Sequence, residues 1–211
     1  MANHIGQIIV VAHFTAKPGK EAALLDLLRS LIEPTRNETG CLRYELNQEI
    51  ERPAAFTFAE KFTNREAFDV HSKSPYVKSL GERSAELIES RQVRLHRELR
   101  PAAPQASKIR VRTDGAEVIV IAHFTAKPGK EEELSTFLQG LVEPTRREPG
   151  CARYELNQDL DDPATFSFVE TFADQEAFEA HCKMPYIDRL FETLPVLVGK
   201  QYIGLHKQLQ V

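Results

Sequence analysis

The 211-residue chain has no tryptophan, two methionines and three cysteines. The cysteines, Cys41, Cys151 and Cys182, are too few and odd in number for a disulfide framework, so a reducing cytoplasm is the expected compartment. No apolar run approaches the roughly 18–20 residues that cross a bilayer. The N-terminal stretch MANHIGQIIVVAHF lacks a charged leader region and a small-residue cleavage site, so no signal peptide is expected. A formal net charge of −4 leaves no basic footprint for nucleic acid and no polybasic patch for an anionic membrane. G-x-S-x-G, P-loop and dinucleotide-binding patterns are all missing, which removes three common routes to catalysis.

What is present is a duplication. HFTAKPGK at 13–20 recurs unchanged at 123–130, EPTR at 33–36 recurs at 143–146, and RYELNQ at 43–48 recurs at 153–158. Gly40-Cys41 matches Gly150-Cys151, His71 matches His181, and Pro75-Tyr76 matches Pro185-Tyr186. The offset is constant at 153 − 43 = 110 residues. That period is domain-sized and far above the roughly 20–50 residues of a solenoid. The chain therefore divides into a first copy at 1–100, a Pro- and Ala-containing linker at 101–116, and a second copy at 117–211. Within the linker, KIRVR alternates and could pair briefly as an edge strand.

Each copy reads β-α-β-β-α-β. Residues 7–15 are β-branched and apolar, which predicts a strand. From Lys20 to about Glu38, Leu24, Leu27, Leu28, Leu31 and Ile32 recur at helical spacing, with Pro34 expected to kink the last turn. Strands are expected at 42–49 and 55–62. The latter places Phe56, Phe58, Glu60 and Phe62 on one face. Helices follow at 64–72 and 75–89, then a strand at 91–99. This is the α+β, ferredoxin-like arrangement, an antiparallel sheet with helices on one face. The phenylalanines suggest that the uncovered face is partly apolar, so the two copies are expected to pack sheet to sheet. Expressed alone, residues 1–103 should then self-associate; a well-folded monomer in analytical ultracentrifugation contradicts that packing.

These residues resemble the antibiotic biosynthesis monooxygenase (ABM) domain. The resemblance rests on KPGK at 17–20, Gly40-Cys41, Tyr44 to Leu46, Glu60 and Phe62, Ala67-Phe68, His71 and Pro75-Tyr76, each repeated in the second copy. It implies a dimeric α/β barrel, here supplied by one chain, with helices outside and pockets within. Some members of that family oxidise quinols or aromatic polyketides with molecular oxygen and no flavin, metal or haem. Others degrade haem, isomerise small signalling molecules, or have no known activity. The chain departs from many active relatives at Phe62 and Phe172, where they carry tryptophan.

The candidate site residues fall in repeat pairs. His71 and His181 are candidate proton acceptors, because an imidazole is poised to take a proton near pH 7. His13 and His123, on the strand face of Ile9 and Val11, either polarise a substrate oxygen or are satisfied by a cross-strand partner. Phe62 and Phe172 could stack on a planar substrate. Glu60 and Glu170 either serve a pocket or form an ion pair with an arginine such as Arg43. Tyr76 and Tyr186 either lend a phenol to the pocket or pack a helix. His13, His96 and Glu60 could be drawn as one facial metal set, but no tight ligand spacing supports it and no metal or other cofactor is expected.

The leading expectation is a cofactor-independent oxidoreductase, a monooxygenase joining molecular oxygen to a small aromatic or quinone-like molecule. The alternatives are a non-oxidative isomerase or lyase of a small carbonyl compound, and a non-catalytic, stress-related binding protein. No nucleic-acid or membrane partner is expected. The copies diverge most at 81–94 and 191–204, where the second is more apolar and Pro195 is expected to shorten or break its helix. The divergence reads as a different lid over the second pocket, or the apolar 194–203 stretch reads instead as a contact in a further homo-oligomer.

Overall fold

The computed structural model describes residues 6–100 and 116–209. The KIRVR segment lies outside the described residues. The chain forms two compact units, one comprising residues up to Arg97 together with Gln208 onward, the other Glu98–Lys207.

In the first unit, β1 (Ile8–Ala16), α1 (Glu21–Ser30), α2 (Ile32–Arg36), β2 (Cys41–Glu49), β3 (Ala55–Phe62), α3 (Arg65–Ser72), α4 (Pro75–Leu87) and β4 (Ile88–Glu98) follow in order. β1 pairs antiparallel with both β3 and β4, and β3 pairs with β2. The order β4-β1-β3-β2 is the ferredoxin-like sheet that the strand and helix periodicities predict. The second unit repeats it with β5 (Val118–Ala126), α5 (Glu131–Arg146), β6 (Cys151–Asp159), β7 (Thr165–Phe172), α6 (Gln175–Cys182), α7 (Pro185–Leu197) and β8 (Val198–Gln208). Its sheet order is β8-β5-β7-β6.

The register decides which face does what. Phe56, Phe58, Glu60 and Phe62 lie opposite Phe14, Ala12, Val10 and Ile8, all on one face. That is the face the helices cover: the Phe62 ring centroid lies 5.8 Å from Phe68 and 4.9 Å from His71, both on α3. The phenylalanines expected on the uncovered face thus lie on the covered one. Large aromatic rings gain most where both sheet and helix surround them.

The repeated KPGK has a structural role in each unit. Gly19 and Gly129 adopt φ of 76° and 78°, a left-handed conformation that glycine takes without steric cost. Just before each turn, Lys17 Nζ donates to the Ala85 carbonyl and Lys127 Nζ to the Pro195 carbonyl, both at 2.6 Å. Each lysine thus caps the C-terminal carbonyls of α4 or α7 and places a cation at the negative end of the helix dipole. Pro195 does not break α7, which has the same extent as α4 relative to its repeat. A proline so close to the end removes only one helical bond, and Lys127 holds the proline's own carbonyl. The effect of the late proline in the earlier helix differs between copies. The first unit divides at Leu31 into α1 and α2, whereas α5 runs through Pro144.

Candidate functional site

Glu38 lies just past α2, at the start of the short connection into β2. Gly40 lets α3 close over that connection: a Cβ at Gly40 would stand 2.3 Å from Ala67 Cβ, and one at Gly150 would stand 2.2 Å from Ala177 Cβ. Asn64 and Asp174 cap the overlying helices by accepting from Ala67 N and Ala177 N, each at 2.9 Å. This close approach brings the last turn of α3, with His71, against Glu38. Gly40→Ala is expected to cost about 1–3 kcal/mol, because the atom it strikes is fixed to a helix backbone. Urea denaturation measures this, and Ala67→Gly in the same chain should restore most of the loss; an unchanged midpoint for Gly40→Ala contradicts the close-approach argument.

His71 is 4% exposed and His181 5%. His71 Nδ1 lies 3.2 Å from Glu38 Oε1, and His181 Nδ1 lies 2.9 Å from Glu148 Oε1. The Tyr76 and Tyr186 hydroxyls donate to the same carboxylate oxygens. A carboxylate only accepts, so the network assigns the proton to Nδ1 and leaves the Nε2 lone pair free to act. In the first unit, Nε2 lies 3.9 Å from Glu60 Oε2, too far for a hydrogen bond.

Glu60 is 4% exposed, and its Oε2 has no hydrogen-bond partner among the described residues. Burial, and then the neighbouring Glu38 charge, push its carboxyl up to about 8, with Arg91 opposing. Burial and Glu148 do the same to Glu170, also to about 8. Both therefore hold a proton at neutral pH, because an unpaired buried charge is costly. Burial holds the His71 imidazole below its ordinary value despite the opposing pull of Glu38, so its neutral form dominates at pH 7. Burial followed by the field of Glu60 keeps the Tyr44 phenol well above the ordinary range, and burial followed by Glu170 does so for Tyr154. Each unit thus groups a buried carboxylic acid and a buried phenol with an imidazole oriented by a carboxylate, and a half-buried second phenol donates to that carboxylate.

Tyr44, Glu60 and His71 border a cavity of about 60 Å³ in the first unit, lined also by Phe14, Phe58 and Arg91 among others. At about 30 Å³ per water this is room for two waters. A ring-sized ligand therefore enters only if the lining gives way, and the α3–α4 junction at Ser72 and Val77 forms part of that lining.

The structure brings together Glu60, His71 and Tyr76, and likewise Glu170, His181 and Tyr186, but separates other sequence candidates from them. His13 shares its face with Ile9 and Val11, opposite the one bearing Glu60, and its Nδ1 is 2.9 Å from Thr57 Oγ1 across the strands. His123 lies on the corresponding face, its ring 5.9 Å from Tyr202. Neither approaches the His71 or His181 network, because strand side chains alternate. The same alternation parts His96 from Glu60, so the drawn metal set does not converge, and no cluster of metal-ligating side chains occurs among the described residues. The expected Glu60–Arg43 ion pair does not form. Tyr44 stands opposite Glu60, which sends Arg43 to the other face, where it lies 3.8 Å from Glu45. Phe62 and Phe172 are fully buried beneath His71 and His181, so they support the imidazoles and offer no face to a ligand. The Tyr76 hydroxyl acts on Glu38. Cys41 and Cys151 are free thiols pushed up to about 11 and about 12, by burial first and then by Glu38 or Glu148, so neither is a nucleophile.

Sequence reasoning missed Glu38 and Glu148, although a signal was present. Both are kept at the 110-residue offset while Asn37 and Thr39 become Arg147 and Pro149.

The fold and this buried site define an α+β protein with two repeated histidine–carboxylate centres. Residues 7–83 and 117–193 each match the family described as antibiotic biosynthesis monooxygenase, and the chain belongs to that family. It is 33% identical over 81 residues to the protein named "Putative monooxygenase Rv0793" of Mycobacterium tuberculosis, covering 38% of this chain and 79% of that one. It is 32% identical over 83 residues to the uncharacterized protein sll1783 of Synechocystis, covering 39% of this chain; the match spans 56% of that relative's length. A crystal structure titled "Putative monooxygenase" from Fusobacterium nucleatum shares the fold, with a TM-score of 0.82 at 17% identity over 97% of this chain and 93% of that one.

Proposed function

We propose that the protein is a cofactor-independent monooxygenase that oxidises a small quinol or polyphenol with molecular oxygen. The observation that carries this reading is the buried His71, oriented by Glu38, with its free Nε2 beside Glu60. His71 Nε2 takes the proton of a substrate hydroxyl, and Glu38 steadies the imidazolium that forms. Glu60, holding its proton, donates to a substrate oxygen where negative charge develops. The deprotonated ring is electron-rich enough to reduce oxygen. A hydroquinone and one oxygen molecule balance as a hydroxyquinone and one water, with the substrate supplying all the electrons. His181, Glu148 and Glu170 serve the second site in the same way.

The test is oxygen uptake by metal-free, flavin-free protein against a panel of hydroquinones, with the product identified by mass. The expected kcat/KM is bell-shaped in pH. It rises as His71 loses its proton, below the usual imidazole range, and falls as Glu60 loses its own near 8. Absence of enzyme-dependent uptake across the panel sinks the reading. The small cavity, with an acid and a base side by side, favours a second one: enolisation of a small carbonyl compound. Deuterium incorporation into such a ketone in heavy water, without oxygen uptake, would select it.

A further inference from the structure

The two sites are not copies in one respect. Carrying the lining of the first unit's cavity over to the second unit by the 110-residue offset, the changed positions are Ser72 to Cys182, Val77 to Ile187, Arg91 to Gln201 and Val93 to Ile203. Only the Arg91 change alters charge. The register shows that it is a true exchange at one place: Arg91 lies opposite Phe14 on β1, and Gln201 lies opposite Phe124 on β5. The Arg91 guanidinium stands 5.7 Å from the centre of the Phe14 ring, and both residues line the cavity. Among the described residues no salt bridge ties Arg91 to a carboxylate, so its five donors remain available.

Charge balance gives this exchange a consequence. Each site contains a carboxylate, Glu38 or Glu148, that orients its histidine. An anion entering the second site meets that negative charge with only an amide at position 201. An anion entering the first meets Arg91, whose planar fork matches a carboxylate or phenolate in two-point contact. Resting on the reading of these centres as small-molecule sites, we infer that Arg91 is a specificity-determining residue: the first repeat takes an aromatic molecule bearing a negative charge, the second an uncharged one.

Calorimetric titration of the full chain with 4-hydroxybenzoate and with hydroquinone tests this at low ionic strength. The anion is expected to bind once per chain and hydroquinone twice, and added salt should weaken only the anion. Arg91→Gln should weaken the anion about tenfold or more, the loss of one charge-assisted contact, and leave hydroquinone unchanged. Arg91→Lys should restore part of the anion affinity, and Gln201→Arg should create a second anion site. Two equal anion sites in the unaltered chain, no anion binding at all, or an Arg91→Gln chain that binds it normally would each overturn the inference. Charge-selective binding without oxygen uptake sinks the oxygenase reading alone; uptake without charge selectivity sinks this one alone.

Discussion

A chain carrying both His71→Ala and His181→Ala is expected to lose about 10²–10⁴-fold in oxygen uptake, the usual contribution of a positioned general base. At each centre the imidazole is the basic group with a nitrogen left free by the network, and His71 also lines the cavity, so no neighbour takes over. Glu38→Gln with Glu148→Gln should cost less, about 10–100-fold, as is usual when an orienting partner is lost. The amide keeps the shape but no longer fixes the proton on Nδ1 or balances the imidazolium. Steady-state rates at saturating substrate, with thermal melts to show that the variants fold, measure both effects. Activity that survives the double histidine change excludes these residues as the base. If the two sites work independently, His71→Ala alone should leave the second site's share of the rate intact.

Glu60→Gln with Glu170→Gln is expected to stabilise the protein, increasingly as pH rises. Both carboxyls sit at about 8 in the folded chain against an ordinary 4.5. Below pH 4.5 they are protonated whether the chain is folded or not, and pH has no leverage through them. Between 4.5 and 8 the unfolded chain has released these protons and the folded chain has not. Unfolding then releases protons, and each pH unit favours it by about 1.4 kcal/mol per site. Above 8 the folded carboxyls also ionise and the slope levels off. The glutamine chain lacks this loss, so its urea midpoint should match the native chain near pH 4.5 and exceed it by a widening margin up to pH 8. A margin that stays constant across that range would mean that these carboxyls titrate normally and carry no proton at neutral pH. The same change keeps a hydrogen-bond donor, the amide N–H, at each site, so it should lower the rate less than the histidine changes and remove the fall of kcat/KM near pH 8.

Much of the fold was legible in the sequence. The 110-residue duplication fixed two equivalent halves, and period-two and helical spacing fixed the strands and helices of each. Alternation alone placed Phe56, Phe58, Glu60 and Phe62 on one side of a strand, because side-chain direction there is a local property. The resemblance carried by Gly40-Cys41, His71 and Pro75-Tyr76 pointed to the right family.

Which side of the sheet the helices cover was not local. It depends on helix packing, and it moved Phe62 from a supposed ligand platform to a support beneath His71. The same choice removed His13 from the site, since its strand face carries it away from Glu60. Glu38 was hidden for a related reason: it stands in a connection without periodicity, and only the folding of α3 across Gly40 brings it to His71. The sequence by itself determined that there are two α+β halves and which residue types each retains. The tertiary structure decided which of those residues meet, because contact between segments more than thirty residues apart depends on packing that local periodicity does not record.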